Sequence, residues 1–305
     1  MPRWLGVTLT IAVVLLLAGG GAYYWLIFDT SPPAAAQPFA FDIAAVRAKA
    51  DELPGGKAGD VRVEKVATFE LPSVAAQGGF DWSPMTMTAS SFQVVLPTDT
   101  IIIDAAFNAQ QGASISARID EDAYARMDMA LAQATQIVVT HEHSDHIGGI
   151  VAYNDPQGIA RALRLNKEQL ENLPRYDMTW PAALSDYAPI EYTGMLAIAP
   201  GVVLIRAPGH TPGSQMIYVR REDGRELLFV GDIAWRMRNI EIGRGRPRLL
   251  SDILLKEERD AVSAELAMLK ALHEAEPDLL IVPGHDPAAI DALIASGAMT
   301  AQFSL

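Results

Sequence analysis

Three imidazoles and an aspartate fall within six residues at His141-Glu142-His143-Ser144-Asp145-His146. In an extended segment, side chains two residues apart point the same way, so His141 and His143 can share one ion. Asp145 and His146 follow as the chain turns and can face a second ion nearby. Nitrogen and oxygen donors of this kind suit zinc, and also iron or manganese. Three further candidates sit in matching settings: His210 in Pro208-Gly209-His210-Thr211-Pro212-Gly213, Asp232 in Gly231-Asp232, and His285 in Pro283-Gly284-His285-Asp286. Each ends an apolar run and is framed by Gly or Pro, a placement for a site rather than for core filling. Of the six histidines, only His273 lies outside these motifs. It sits beside Glu274 in a long helical pattern and reads as a solvated or capping residue. Ser144 has no free base beside it and reads as a turn residue rather than a nucleophile.

Such groups converge only if the strands that carry them end together. Residues 61–70 alternate as a strand does, and 91–96 and 100–104 form a hairpin around Pro97-Thr98-Asp99. Residues 121–134 have helical spacing, and the apolar strand 136–140 ends directly at His141. Gly148-Gly149 then lets a following helix pack closely. Residues 165–199, rich in Pro and aromatics, read as irregular. Strands are expected at 202–206, 216–220 and 226–230, the last two joined through Asp223-Gly224. A long helix is expected over 254–275, stopped by Pro277. A strand at 279–282 leads to His285, and 287–295 reads as a last helix. Strands and helices alternate in two successive halves, which predicts an α/β or α+β fold with layered sheets.

With these motifs in order, the chain resembles the metallo-β-lactamase superfamily of hydrolases. The resemblance rests on His141-x-His143-x-Asp145-His146, Gly209-His210-Thr211-Pro212-Gly213, Gly231-Asp232 and Gly284-His285, and covers roughly residues 61–295. It implies an α+β fold, the αββα sandwich, with a metal site at one edge of the two sheets. It also implies that His141, His143 and His210 hold a first divalent ion. Asp145, His146 and His285 would hold a second, with Asp232 bridging both. The chain has no cysteine, which excludes the β-lactamases that place one at the Asp232 position. A bridging aspartate favours the lactonase, glyoxalase II and general hydrolase branch. His143 stands where flavodiiron oxygen reductases carry a carboxylate, which disfavours that branch.

The expected chemistry is hydrolysis at an acyl carbon. Two ions, zinc in the first instance, acidify a bridging water to hydroxide and polarise the acyl carbonyl. Asp145 is then a metal ligand that can also pass a proton to the leaving group. A lactone or ester substrate is favoured, on the likeness of the His210 and His285 contexts to quorum-quenching lactonases. Thioester or β-lactam hydrolysis and iron-dependent persulfide or thiol dioxygenation are the alternatives, with a non-catalytic metal-binding protein as a third class.

The amino terminus carries a different signal. From Trp4 to Phe28 there are 25 residues without a charge, with Arg3 before them and Asp29 after. About 20 apolar residues span a bilayer as a helix. The positive-inside tendency leaves Arg3 in the cytoplasm and exports the remainder. A cleaved signal peptide is the competing reading, but the apolar run resumes at Trp25-Leu26-Ile27-Phe28, which favours a retained anchor. The expected organisation is therefore an anchor or signal over 1–30, a linker and lead-in over 31–60, and a hydrolase domain over 61–305. The catalytic body is expected outside the cytoplasm, tethered to the membrane or, after cleavage, secreted.

Composition narrows the partners. The chain has 305 residues, 24 Lys+Arg against 37 Asp+Glu, and a formal charge of -13. That balance argues against nucleic-acid binding, which needs a basic footprint. The partner expected is a small acyl substrate. Three segments are expected to wall its pocket: 79–90 with Trp82, Met85 and Met87; 174–195 with Tyr176, Trp180, Tyr187 and Tyr192; and 235–248 with Trp235. The last segment also holds Arg236, Arg238, Arg244, Arg246 and Arg248. These arginines are expected to pair with surface carboxylates, with a substrate anion or anionic lipid as the other readings.

Overall fold

The computed structural model of the chain describes all residues except 1–2, 32–36 and 108, and the side chains of 3, 5 and 109 are likewise outside the description. Residues 32–36 of the expected linker therefore lie outside the described residues. The strands are β1 (Asp60–Pro72), β2 (Pro84–Val95), β3 (Thr100–Ile103), β4 (Arg118–Ile119), β5 (Gln136–Val138), β6 (Met195–Ala199), β7 (Val202–Arg206), β8 (Gln215–Arg220), β9 (Glu226–Gly231), β10 (Leu279–Pro283) and β11 (Thr300–Ala301). They form two sheets. One has the order β11-β1-β2-β3-β5, with β4 added to β1; the other is β10-β9-β8-β7-β6.

The sheets face each other because their strands are apolar on both faces. In β7, Val202 and Leu204 point into the space between the sheets, where they join Val61, Val63, Phe92, Val94, Ile101, Ile217 and Phe229. Val203 and Ile205, one residue out of phase, point the other way and meet Val262, Leu266 and Leu269 of the helix Arg259–Ala275. The first sheet does the same. Ile101 and Ile103 face inward, while Ile102 packs outward with Met127 and Leu131 of the helix Glu121–Gln133 and Ile147 of the helix Ser144–Val151. The result is helix, sheet, sheet, helix.

Local expectations and structure differ in informative places. The hairpin forms, pairing Val95 with Thr100, but its first strand begins at Pro84. Residues 84–90 are therefore strand, not loop. The long helix starts at Arg259 rather than at 254. Residues Leu249–Leu255 form a separate wide helical turn that ends at Lys256, whose φ is 57°. Strand β6 emerges from the stretch read as irregular. Within the lead-in, the helix Ile43–Ala50 is capped by Asp42 and buries Val46 and Ala50 against the second sheet. The helix Arg3–Ile27 contains the apolar stretch Gly6–Ile27, 22 residues of mean hydropathy 1.9, none of them buried in the body of the protein. It is long and apolar enough to cross a membrane.

Candidate metal centre

Strands β5, β9 and β10 and the loop after β7 end at the same pole and deliver the predicted residues to one place. His141 and His143 lie in the two-step segment after β5, and Asp145 and His146 occupy the first turn of the helix that follows. The close packing of that helix depends on Gly149. A side chain there would collide with the carbonyl of Ala105, and the helix is held by Ala105 N donating to His146 O at 2.7 Å. Three overlapping groups of donors result, each close enough for one ion: His141, His143, His210 and Asp232; His141, Asp145 and His146; and His146, Asp232 and His285.

Asp232 is the centre of the arrangement. Its Oδ2 lies 3.3 Å from His210 Nε2 and 3.8 Å from His141 Nε2. Its Oδ1 lies 3.1 Å from His285 Nε2 and 3.4 Å from His146 Nε2. Asp145 Oδ2 approaches His285 Nε2 at 3.3 Å. His143 Nδ1 lies 3.1 Å from His141 Nε2 and 2.9 Å from His210 Nε2. All seven predicted residues are thus brought together.

Outer partners set which nitrogen of each ring faces inward. His146 Nδ1 lies 2.8 Å from Asp104, His210 Nδ1 2.5 Å from Glu257, and His285 Nδ1 2.9 Å from the carbonyl of Thr88. An imidazole that donates through Nδ1 presents the lone pair of Nε2, the form a metal takes. Thr140 Oγ1 hydrogen-bonds Asp104 and sits 3.2 Å from His141 Nδ1. Asp104 also accepts from Thr140 N at 2.6 Å. Its own φ is 60°, a left-handed conformation that Asp tolerates better than most residues.

The charges of this cluster are mutually dependent. Burial holds the His141 and His143 imidazoles well below their usual range, so both are neutral. Burial also opposes charge on His146, His210 and His285. There the carboxylates Asp104, Asp145, Asp232 and Glu257 outweigh it and raise all three. Burial pushes Asp232 up, but His285 and His146 outweigh it and hold the group well below the carboxylate range.

The donor set fits divalent ions. His141 Nε2 and His210 Nε2 both converge on His143 Nδ1, at 3.1 and 2.9 Å, yet that nitrogen has one lone pair or one N–H and can pair with only one of them. Asp232 Oδ1 is buried without a hydrogen-bond partner among the described residues. A cation between the rings answers both.

Several supporting residues were not singled out from sequence. Glu257 binds His210 and forms a buried ion pair with Arg246, whose Nη2 also donates to the Asp232 backbone carbonyl at 2.8 Å. Burial raises Glu257, but Arg246 and His210 outweigh it and lower its pKa. Glu142, inside the histidine motif, accepts from Thr211 Oγ1 at 2.7 Å and Gly213 N at 3.1 Å, tying two ligand loops together. Trp235 Nε1 donates to Asp232 Oδ2 at 2.7 Å. Asp104 and Glu257 each looked like one acidic residue among many; the motif spacing around Glu142 was the available signal.

A cleft of about 360 Å³ opens over Asp145 and Asp232, walled by Phe107, Tyr176, Trp235, Leu254 and Leu255. Of the expected wall residues, Tyr176 and Trp235 line it. Met87 is instead buried in the first sheet's outer core, and Met85 packs beside it. Trp180 bonds the carbonyl of Leu184, Tyr187 bonds Leu165 and Tyr192 bonds Gln215, all away from the cleft. Trp82 is exposed. The arginine cluster divides. Arg236 pairs with Asp286, Arg238 with Glu241, and Arg248 with Asp29 and Asp252. Arg246 is not at the surface at all but fully buried.

Residues 87–285 match the family model of the metallo-beta-lactamase superfamily, more than half of the chain. The chain belongs to that superfamily. It is similar to an N-acyl homoserine lactonase of Bacillus sp, 32% identical over 106 residues, which are 34% of this chain and 40% of the relative. A probable metallo-hydrolase of Mycobacterium tuberculosis is 28% identical over 175 residues, 50% of this chain and 54% of that protein. The matches thus span 40% of the lactonase and about half of the metallo-hydrolase. Among solved structures, a quorum-quenching N-acyl homoserine lactone lactonase superposes with a TM-score of 0.60 at 17% identity, covering 77% of this chain and 95% of that one. A dizinc quorum-quenching lactonase gives 0.54 at 14% identity, covering 76% and 90%. At these identities the likeness is one of fold.

Proposed function

We propose that the protein is a membrane-tethered, dinuclear metal hydrolase that opens a lactone or a similar ester. The observation that carries the reading is the central place of Asp232: Oδ2 lies towards His141 and His210, Oδ1 lies towards His146, and His285 Nε2 stands 3.1 Å from Oδ1 and 3.2 Å from Oδ2. His141, His143 and His210 would hold one ion, Asp145, His146 and His285 the other, and Asp232 would touch both. Zinc suits these donors, and the fold is shared with a dizinc lactonase. Bound there, two divalent ions supply an acidified water and a Lewis acid for the acyl oxygen.

The chain's own groups supply the remainder. Tyr176 packs edge-on against His143, and its hydroxyl is buried without a partner among the described residues. Burial pushes its pKa up to about 12, so it keeps its proton and can donate to an oxygen of the substrate. Asp145, at the cleft floor, can carry a proton to the leaving oxygen. Phe107, Leu254 and Leu255 give the cleft an apolar wall for an acyl chain. The apolar helix Gly6–Ile27 would cross the cytoplasmic membrane, with the catalytic body outside the cytoplasm.

The test is proton release by the zinc-loaded full chain on acyl lactones and aryl esters, beside Asp145→Ala. Acid release that the substitution abolishes is expected. No release with two metals bound would sink the lactone reading and turn the search to thioesters, β-lactams and persulfides.

A further inference from the structure

The metal centre and the apolar helix are joined by a very short piece of chain. Arg246 reaches inward to the Asp232 carbonyl, and Arg248, two residues on, reaches outward to Asp29 Oδ2 at 3.0 Å. Their Cα atoms are at most ~7 Å apart. The Arg248 guanidinium also lies over the Trp25 ring at 4.9 Å, inside the apolar helix. Arg259 donates to the carbonyls of Asp29 and Ser31 and to Ser251 Oγ. On its other side, the helix exit is gripped by Phe80, whose ring stacks on Phe28 at 4.1 Å. The exit is therefore not a free tether. It is docked on the pole that carries the metal ligands.

That docking fixes which surface meets the bilayer. The headgroup zone is about 5–7 Å deep on each side of the hydrocarbon. Trp25 and Phe28 close the apolar helix, so the residues touching them stand at that zone. Around them, Phe80 is 78% exposed, Trp82 51%, Leu254 61% and Ile253 51%. Leu254 is also a wall of the active cleft and belongs to the turn that begins one residue after Arg248. A groove between Phe28 and Phe80 is bordered by Arg244, whose guanidinium makes no ion pair or hydrogen bond among the described residues. Aromatic rings with an unpaired cation beside a span suit a phospholipid interface.

We infer that the loops 79–82 and 244–254 form a bilayer-contacting face, and that the cleft opens against the membrane through Leu254. The substrate would then be a lactone or ester whose acyl chain partitions into lipid, reaching the cleft from the bilayer rather than from bulk water. This rests on the anchored-hydrolase reading above.

The chain has no cysteine, so single substitutions can be spin-labelled cleanly in the full-length protein. Phe80→Cys, Leu254→Cys, Val14→Cys and Glu222→Cys would be reconstituted in phosphatidylcholine/phosphatidylglycerol vesicles. Collisions of each label with oxygen and with a water-soluble nickel chelate would be measured. Val14 lies in the apolar helix. Glu222 is exposed in the turn before β9, at the pole opposite the ligands. Oxygen contact several-fold above that at Glu222, with suppressed nickel contact, is expected at Val14, Phe80 and Leu254. A Leu254 label as water-exposed as Glu222, with Val14 in lipid, overturns this inference and leaves the anchor intact. A water-exposed Val14 label overturns the anchor reading itself. A second arm compares turnover of short- and long-acyl lactones by the zinc-loaded Phe80→Glu/Trp82→Glu protein in the same vesicles. Loss confined to the long-acyl substrate is expected, and equal effects on both count against bilayer access.

Discussion

Glu257→Gln tests whether the metal centre is held by a buried charge network rather than by its ligands alone. Glu257 and Arg246 are an ion pair with almost no exposure on either side chain. Arg246 already has Nε and Nη1 without partners, so Glu257 supplies most of what offsets its charge. Removing one member of a buried pair costs about 3–5 kcal/mol. Glu265 moderates this. Burial, and then Glu257, hold it well above the carboxylate range, and without Glu257 it can ionise towards Arg246. The expected loss is therefore near the lower bound, ~3 kcal/mol. At about 2–4 °C per kcal/mol for a chain of this size, Tm falls roughly 6–12 °C. Replacing the carboxylate at His210 Nδ1 by a neutral amide should also weaken zinc binding by about 10- to 100-fold. Urea unfolding of the metal-free protein followed by tryptophan fluorescence measures the first effect, and chelator competition the second. Arg246→Met/Glu257→Gln should recover most of the stability but not the zinc affinity. A loss below ~1 kcal/mol in Glu257→Gln, or a double variant no more stable than the single, would refute the reasoning.

Three other outcomes follow from the same contacts. Asp104→Asn removes the charge behind His146 and Thr140 and should weaken zinc binding by about 10- to 100-fold; unchanged chelator competition would show that His146 needs no such partner. His146, His210 and His285 have raised pKa values in the metal-free protein, so their contribution to its stability is full below 6.5 and lost as pH rises through the folded values. Zinc must displace those protons, so its affinity should climb between pH 6 and 8, and calorimetry in buffers of different ionisation enthalpy should record proton release; none at pH 6.5 counts against the charge assignment. Glu265 is raised too, so its contribution is likewise lost as pH rises above 4.5 through its folded value. Glu265→Gln should gain on the parent in urea midpoint as pH rises above 4.5, and a pH-independent difference would contradict the burial argument.

Legibility in the sequence followed the range of the interaction. The hairpin around residues 97–99 and the helix Glu121–Gln133 were visible because turn residues and helical spacing act within a few residues. The break before Arg259 was not. Residues 249–258 have helical composition, but Arg248, Ser251 and Glu257 are drawn to Asp29, Arg259 and His210. Those tertiary contacts override the local preference. Tyr176 and Trp235 line the cleft as expected, but the other expected aromatic walls failed for a similar reason. Trp180, Tyr187 and Tyr192 could not be assigned to cleft or core until their hydroxyl and indole partners were known.

By itself, the sequence determined the family, the seven candidate ligands and the apolar amino-terminal segment. Ligand spacing within one strand end, and the length of an uncharged run, are properties of contiguous residues. Tertiary structure decided that Asp232 sits between two groups of imidazoles, that Asp104 and Glu257 orient those imidazoles, and that Arg246 is buried. It also placed the ligands and the helix exit at one pole. Each of these depends on groups far apart in sequence, Asp29 and Arg248 or His146 and Asp104, brought together only when the two sheets pack and their strand ends converge.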